Sequence, residues 1–204
     1  MSFQAFRSIP RLNRNCSVTE KLDGTNGQIF IVGSYAEAFQ DDADLASWVY
    51  VDKFTVGDYE IAAGSRNRWL GHHSDNYGFY HWARDNKEEL VKLGPGRHFG
   101  EWWGKGINRG YGLNEKRFSL FNRSRWADDT VRPKCCFVVP QLYHGLFDTK
   151  VINDHIGVLV KHGSLAAPGF MNPEGIVVYH EALNHSFKAT CHKDEKPKSL
   201  AEQE

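Results

Sequence analysis

At 204 residues, with 41% hydrophobic and 13% aromatic side chains, the chain holds enough apolar material to fill a core, which excludes wholesale disorder. Its 25 basic residues balance 25 acidic ones, and a net charge of zero excludes a uniformly basic nucleic-acid coat. No stretch is long and apolar enough to span a bilayer and the first residues lack a signal-like run, so a cytoplasmic protein without membrane association is expected.

In chain order, the first pattern is Glu20-Lys21-Leu22-Asp23-Gly24-Thr25-Asn26, lying between Val18 and the apolar run Ile29 to Val32, where one strand turns into another. A lysine, an acid two residues on and a glycine directly after hold an amine in a fixed pose. A covalent nucleotidyltransferase needs this, because a neutral lysine must attack the α-phosphorus of a nucleoside triphosphate. With an ordinary pKa of ~10.4, few lysines are neutral at neutral pH, so the surroundings must orient or deprotonate the amine. The tetrad alone also fits a hydrated hairpin turn.

Short β-rich runs at Gly27 to Gly33, Arg97 to Trp103, Phe118 to Phe121, Cys135 to Val139 and Gly175 to Tyr179 are bounded by glycine or proline turns and predict strands. Apolar residues from Phe79 to Leu93 recur at near-helical spacing and stop at Gly94. A second helix is expected from about Asp154 to Lys161, capped by Asn153 or Asp154 and stopped by Gly163. Strands and helices do not alternate as in a parallel sheet, so the expected class is an antiparallel α+β fold in one domain over 1–204. Gly104 to Gly112 is rich in glycine but follows a strand without a helix behind it, and reads as a flexible hairpin loop beside the Lys21 site rather than a phosphate cradle. Between Arg97 and Lys134 basic residues outnumber acids, giving either a local phosphate-tracking face or a set of solvated charges. The four cysteines show no framework spacing, and the adjacent pair Cys135-Cys136 reads as strand residues.

Six segments, in order, resemble the motifs of the covalent nucleotidyltransferase superfamily of polynucleotide ligases and capping enzymes. They are the tetrad, Gly64-Ser65-Arg66-Asn67-Arg68, His98-Phe99-Gly100-Glu101-Trp102-Trp103-Gly104, Arg117-Phe118-Ser119-Leu120-Phe121-Asn122, Pro173-Glu174-Gly175-Ile176-Val177-Val178 and Ser186-Phe187-Lys188-Ala189-Thr190. The Gly24-Thr25-Asn26 ending is similar to RNA ligases of the phage RNA ligase 2 type, whereas DNA ligases and capping enzymes commonly place an arginine there.

That resemblance implies a nucleotidyltransferase (ATP-grasp-like) fold with the nucleotide between two antiparallel sheets. It also implies an ATP-dependent RNA ligase using Mg²⁺ or Mn²⁺ that joins a 5′-phosphate to a 3′-hydroxyl of RNA. Lys21 would be the nucleophile. Glu20 would lie near the adenine, Asp23 would hold the Lys21 loop or lie near the metal, and Asn26 would lie near the reacting phosphate unless it only forms an Asx-turn. Arg66 would meet the sugar or the polynucleotide's terminal phosphate, and Glu101 the ribose hydroxyls. Phe118 and Phe121 cannot both face one way in a regular strand, and Phe118 is expected to stack on the base. Glu174 would place the metal and Lys188 the α-phosphate.

Two features depart from the pattern. Many relatives have a Lys-x-Lys pair, but residue 190 is Thr190, which leaves Lys193 as a possible substitute. The chain also leaves no room for a C-terminal accessory domain, so a partner protein is one expectation for gripping the substrate. Alternatives are a DNA ligase or DNA-end adenylylating enzyme with the same site, or a non-catalytic nucleic-acid-binding derivative.

Overall fold

A computed structural model describes residues 3–6, 8–33 and 46–192. In chain order the elements are β1 Asn15–Lys21, β2 Thr25–Val32, β3 Phe54–Val56, β4 Tyr59–Gly64, α1 Phe79–Asp85, α2 Lys87–Leu90, β5 Gly96–Gly104 and β6 Lys116–Leu120. They continue as α3 Arg123–Trp126, β7 Cys136–Val138, β8 Gln141–Leu146, α4 Thr149–His162, β9 Gly175–His180 and β10 His185–Thr190. The chain divides into two compact units, Met1–Leu22 with Pro140–Glu204, and Asp23–Val139, so the division falls inside the lysine tetrad. No helix among the described residues is long and apolar enough to cross a membrane.

The first unit is an antiparallel sheet in the order β10-β9-β1-β8. Alternation along β1 buries Cys16, Val18 and Glu20 and leaves Ser17, Thr19 and Lys21 half-exposed on the other face. Cys16 and Val18 join Ile176 and Val178 of β9 in a core closed by Ile152, Ile156 and Leu159 of α4, which are spaced to share one helix face. This helix starts five residues earlier than the expected Asp154: the Asp148 side chain accepts from the Lys150 backbone N–H and caps the turn. Asn153 and Asp154 lie inside it. Its end at Gly163, with a φ of 80°, is where the sequence placed it.

The second unit is a six-stranded sheet ordered β3-β4-β2-β5-β6-β7. Its pairs are antiparallel except β6 with β7, which run parallel, so the expectation of two purely antiparallel sheets needs that correction. The segment carrying α3 returns the chain to the same end of the sheet, as a parallel pairing requires. The expected helix over Phe79 to Leu93 is instead α1, α2 and a 3₁₀ turn at Val91–Leu93. Asn86, at φ −112°, separates the two α-helices.

Register assigns the two faces of this sheet. Gly27, Ile29 and Ile31 of β2 face the main core with Ile61, Ala63, Trp102, Phe118 and Leu120. Asn26 and Gln28 point the other way, with Arg97, Phe99, Glu101 and Ser119. Gly27 and Gly100 are cross-strand partners on the core face. A Cβ on Gly27 would lie 2.9 Å from the Phe118 ring and one on Gly100 2.7 Å, so the two glycines form the recess that this ring fills.

Candidate active site

In the first unit, Lys21 ends β1 opposite Gly175 of β9. Its Nζ donates to Glu174 Oε2 at 2.6 Å, and Glu174 is buried. Gly175 also pairs with Thr190 of β10, so Lys21, Gly175 and Thr190 form one row across three strands. A Cβ on Gly175 would come within 2.2 Å of the Ala189 carbonyl, so only glycine allows the strands to close here. Lys188 pairs with Val177, which pairs with Thr19 in turn, placing Lys188 on the Lys21 face two rows away. Thr190 occupies the row where a second lysine was sought, and its hydroxyl donates to the His192 carbonyl. Lys193 lies outside the described residues.

Glu20 does not share the lysine's face. Adjacent strand residues point to opposite sides, and the Glu20 side chain is buried, with Oε2 accepting from the Leu165 and Ala166 backbone N–H groups at 2.8 and 3.0 Å. Oε1 is buried without a hydrogen-bond partner; the Ser164 hydroxyl favours the ionised carboxylate but stands outside bonding geometry to that oxygen. Burial outweighs these donors and pushes the carboxyl pKa up. The expected contact of this carboxylate with a base is therefore replaced by an anchor for the 164–167 turn.

In the second unit, Glu101 gathers the tetrad's far end. Its Oε1 accepts from the Gly24 backbone N–H at 3.1 Å and its Oε2 from Asn26 Nδ2 at 3.1 Å. Asn26 Oδ1 accepts from Arg66 Nε at 2.7 Å, which aligns Glu101, Asn26 and Arg66 in one chain of hydrogen bonds. This array replaces the simple Asx-turn alternative for Asn26. Gly24 is the only residue type that fits its position, since a Cβ would lie 2.3 Å from the Trp102 carbonyl oxygen.

Asp23 spends both oxygens on the glycine-rich loop: Oδ1 accepts from Asn108 Nδ2 at 3.0 Å and Oδ2 from Arg109 Nε at 2.7 Å. Its backbone N–H donates to the Tyr111 hydroxyl at 2.8 Å. Both oxygens thus tie Asp23 to the segment that follows β5. The loop joining β5 and β6 is itself seated, with Ile107 and Tyr111 buried. Asn108, Arg109 and Tyr111 were not singled out from sequence, because nothing in the chain's order shows a distant loop closing on Asp23.

Phe118, the residue expected to stack on the base, lies instead in the core. Phe118 is fully buried among Phe79, Trp82 and the two glycines, with no ring face open. Phe121 follows the opposite alternation, on the Glu101 face; its backbone N–H donates to the Phe99 carbonyl, and the side chain is 43% exposed. It lines a concavity of about 530 Å³ together with Asn26, Gln28, Arg66, Arg97, Phe99 and Arg125. Much of the basic stretch is spent inside the unit: Arg109 on Asp23, Lys116 on the Tyr77 carbonyl, Arg123 on the Val139 carbonyl and Arg132 on Trp126, Ala127 and Cys136 carbonyls. Cys135 and Cys136 are free thiols, with only Cys136 inside β7.

These elements, a strand-end lysine paired with a buried glutamate in one sheet and a carboxylate–amide–guanidinium array in the other, make up the motif set of a ligase-type catalytic domain. The chain matches the family model described as RNA ligase over residues 14–190, nearly its whole length, and belongs to that family. No curated protein matches it. Among solved structures, it is similar to a Naegleria gruberi RNA ligase variant with ATP and Mn, at 19% identity and TM-score 0.55, covering 94% of this chain and 52% of that one. It is similar also to a variant of that ligase with AMP and Mn, at 22% identity and TM-score 0.55, covering 88% and 50%. For the same ligase with PPi the figures are 22%, 0.52, 87% and 50%. This chain thus spans about half the length of the solved RNA ligases that it matches.

Proposed function

We propose that this chain is an ATP-dependent RNA ligase catalytic domain with a nucleotidyltransferase fold, and that Lys21 is its nucleophile. The observation that carries this reading is the 2.6 Å pairing of Lys21 Nζ with Glu174, in a chain whose family is RNA ligase. In the first step a neutral Lys21 Nζ bonds to the α-phosphorus of ATP as the bond from that phosphorus to the β-phosphate's bridging oxygen breaks. Pyrophosphate leaves and AMP stays on Nζ. Only the neutral amine can attack, so Lys21 must first give up a proton, and Glu174 Oε2, 2.6 Å from Nζ, is within reach to accept it. A 5′-phosphate oxygen of RNA then displaces Lys21 from the AMP phosphorus, and a 3′-hydroxyl displaces AMP to form the phosphodiester.

The other residues take roles that suit their chemistry. Lys188 would lie beside the α-phosphate. Glu101 offers its carboxylate to ribose hydroxyls, Phe121 supplies a half-exposed ring for the adenine, and Arg66 keeps guanidinium donors for a phosphate. The donor set fits Mg²⁺ or Mn²⁺ carried in with the nucleotide: Glu174 is one buried carboxylate, and no group of three metal-liganding side chains occurs among the described residues. Such an ion, held by Glu174 with phosphate oxygens and water, would neutralise charge on the leaving pyrophosphate. ATP, AMP and Mn in the Naegleria gruberi structures support this choice of cofactors.

The test is intact-protein mass after incubation with the metal and each of ATP, GTP and NAD⁺. A gain of one AMP from ATP alone, absent in Lys21→Ala, is expected. An adduct that persists in Lys21→Ala refutes the assignment.

A further inference from the structure

The concavity on the second unit's site face extends well past Asn26 and Glu101. Arg97 lies four residues from Glu101 on the same face of β5, about 13 Å along the strand. Its guanidinium stacks on Phe30 at 4.0 Å and faces Trp69 at 5.5 Å, and no carboxylate pairs with it among the described residues. Arg125 stacks on Trp126 at 4.6 Å and gives one donor to the Leu93 carbonyl. None of the residues lining the concavity is acidic. Between these cations and the Asn26 end stands Phe99, 51% exposed and paired in register with Gln28. An exposed ring beside guanidiniums that aromatic walls hold in place suits a ligand with one flat apolar part and one anionic part.

The geometry points to a second nucleotide subsite here: Phe99 stacks a base, and Arg97 binds the adjoining phosphate, of a 5′-phosphorylated single-stranded RNA end. This rests on the ligase reading and adds to it where the RNA end lies. A base within a duplex is already stacked, so an open ring selects an unpaired terminal nucleotide.

The experiment measures binding of a short 5′-phosphorylated RNA, with a dye blocking its 3′ end, by fluorescence anisotropy over a range of salt without ATP. Lysyl-AMP formation against ATP concentration is measured separately by intact mass. Phe99→Ala is expected to weaken RNA binding about tenfold and Phe99→Trp to restore it. Arg97→Ala should weaken binding and reduce the slope of log affinity against log salt by about 0.7, the loss of one single-strand phosphate contact. Arg97→Lys should keep the slope. The ATP dependence of lysyl-AMP formation should not move in either alanine variant. RNA binding unchanged in both alanine variants, or undetectable in the wild type, overturns the subsite. So does an Arg97→Ala protein that needs more ATP yet binds RNA normally, since the arginine would then serve the triphosphate. A wild type that takes AMP but binds RNA independently of Arg97 and Phe99 sinks the subsite alone. One that binds RNA through both residues yet never takes AMP sinks the ligase reading and leaves the subsite standing.

Discussion

Truncating each of two phenylalanines three residues apart should give opposite phenotypes. Phe118 is wholly buried, wedged against Phe79 and over Gly27 and Gly100. Phe118→Ala removes that ring and leaves a cavity, at a cost of about 3–5 kcal/mol. Against a typical domain stability of about 5–15 kcal/mol, this is a large loss. Phe121, 43% exposed, already has much of its ring in water, so Phe121→Ala should cost only about 1 kcal/mol of stability. If the adenine stacks on Phe121, the same change removes about 1–3 kcal/mol of binding, raising the ATP needed for half-maximal lysyl-AMP formation by roughly 5- to 150-fold. Urea unfolding followed by circular dichroism gives the first quantity, and single-turnover adduct formation by intact mass gives the second. Phe118→Leu, which keeps most of the volume, separates folding from binding. A well-folded Phe118→Leu protein with a raised ATP requirement, beside a Phe121→Ala protein with a normal one, would refute the assignment and return the base to Phe118.

Removing Glu174's charge should act on chemistry more than on folding: Glu174→Gln is expected to slow lysyl-AMP formation by about a hundredfold or more, and a rate near wild type in single turnover would exclude it from the reaction. Asp23→Ala removes the hydrogen bonds from Asn108 and Arg109, both reachable by water, so it should lower stability by about 0.5–1.5 kcal/mol in urea unfolding, with a smaller loss for Asp23→Asn. For Glu20 the sign follows from its raised folded-state pKa. The folded protein holds that proton to higher pH than the unfolded chain, so its contribution to stability is present at low pH and is lost as pH rises from about 4.3 through the folded value. Stability of Glu20→Gln measured against wild type at a series of pH values should therefore improve across that window. A constant difference between the two proteins would count against the burial argument. His98 works in the opposite direction: burial lowers its folded pKa, so stability falls as pH drops below about 6.5, and His98→Gln should remove that acid sensitivity in the same series.

How much of the site was legible in the sequence follows from how local each signal is. Lys21, Asn26, Glu101 and Glu174 stand in short motifs, and the structure joins them in two hydrogen-bonded groups, Lys21 with Glu174 and Asn26 with Glu101. The strand-and-turn pattern located β2, β5, β6, β7 and β9, because alternation and glycine punctuation act within a few residues, but not β3, β4 or β8. Whatever depended on residues far apart in the chain was hidden. Alternation showed that Phe118 and Phe121 face opposite ways, but which face holds the core is decided by Gly27 and Gly100, two cross-strand glycines some seventy residues apart in sequence. The start of α4 turned on a single side chain, Asp148, and the parallel β6–β7 pair on the path of the loop around α3.

The same reasoning explains the basic stretch. Read along the sequence, Arg97 to Lys134 is one block of charge, but hydrogen bonding sorts it residue by residue. Arg123 and Arg132 end on backbone carbonyls and Arg109 on Asp23, each thereby fixing a loop, while Arg97 is held by rings that satisfy none of its donors. A guanidinium gives up hydration to pack against an aromatic face and keeps its edge N–H groups available, so the stacked arginine is better placed than the hydrogen-bonded ones to meet a phosphate. Charge-neutral composition and a phosphate-binding face are therefore compatible here, because only the unspent part of the charge faces a ligand.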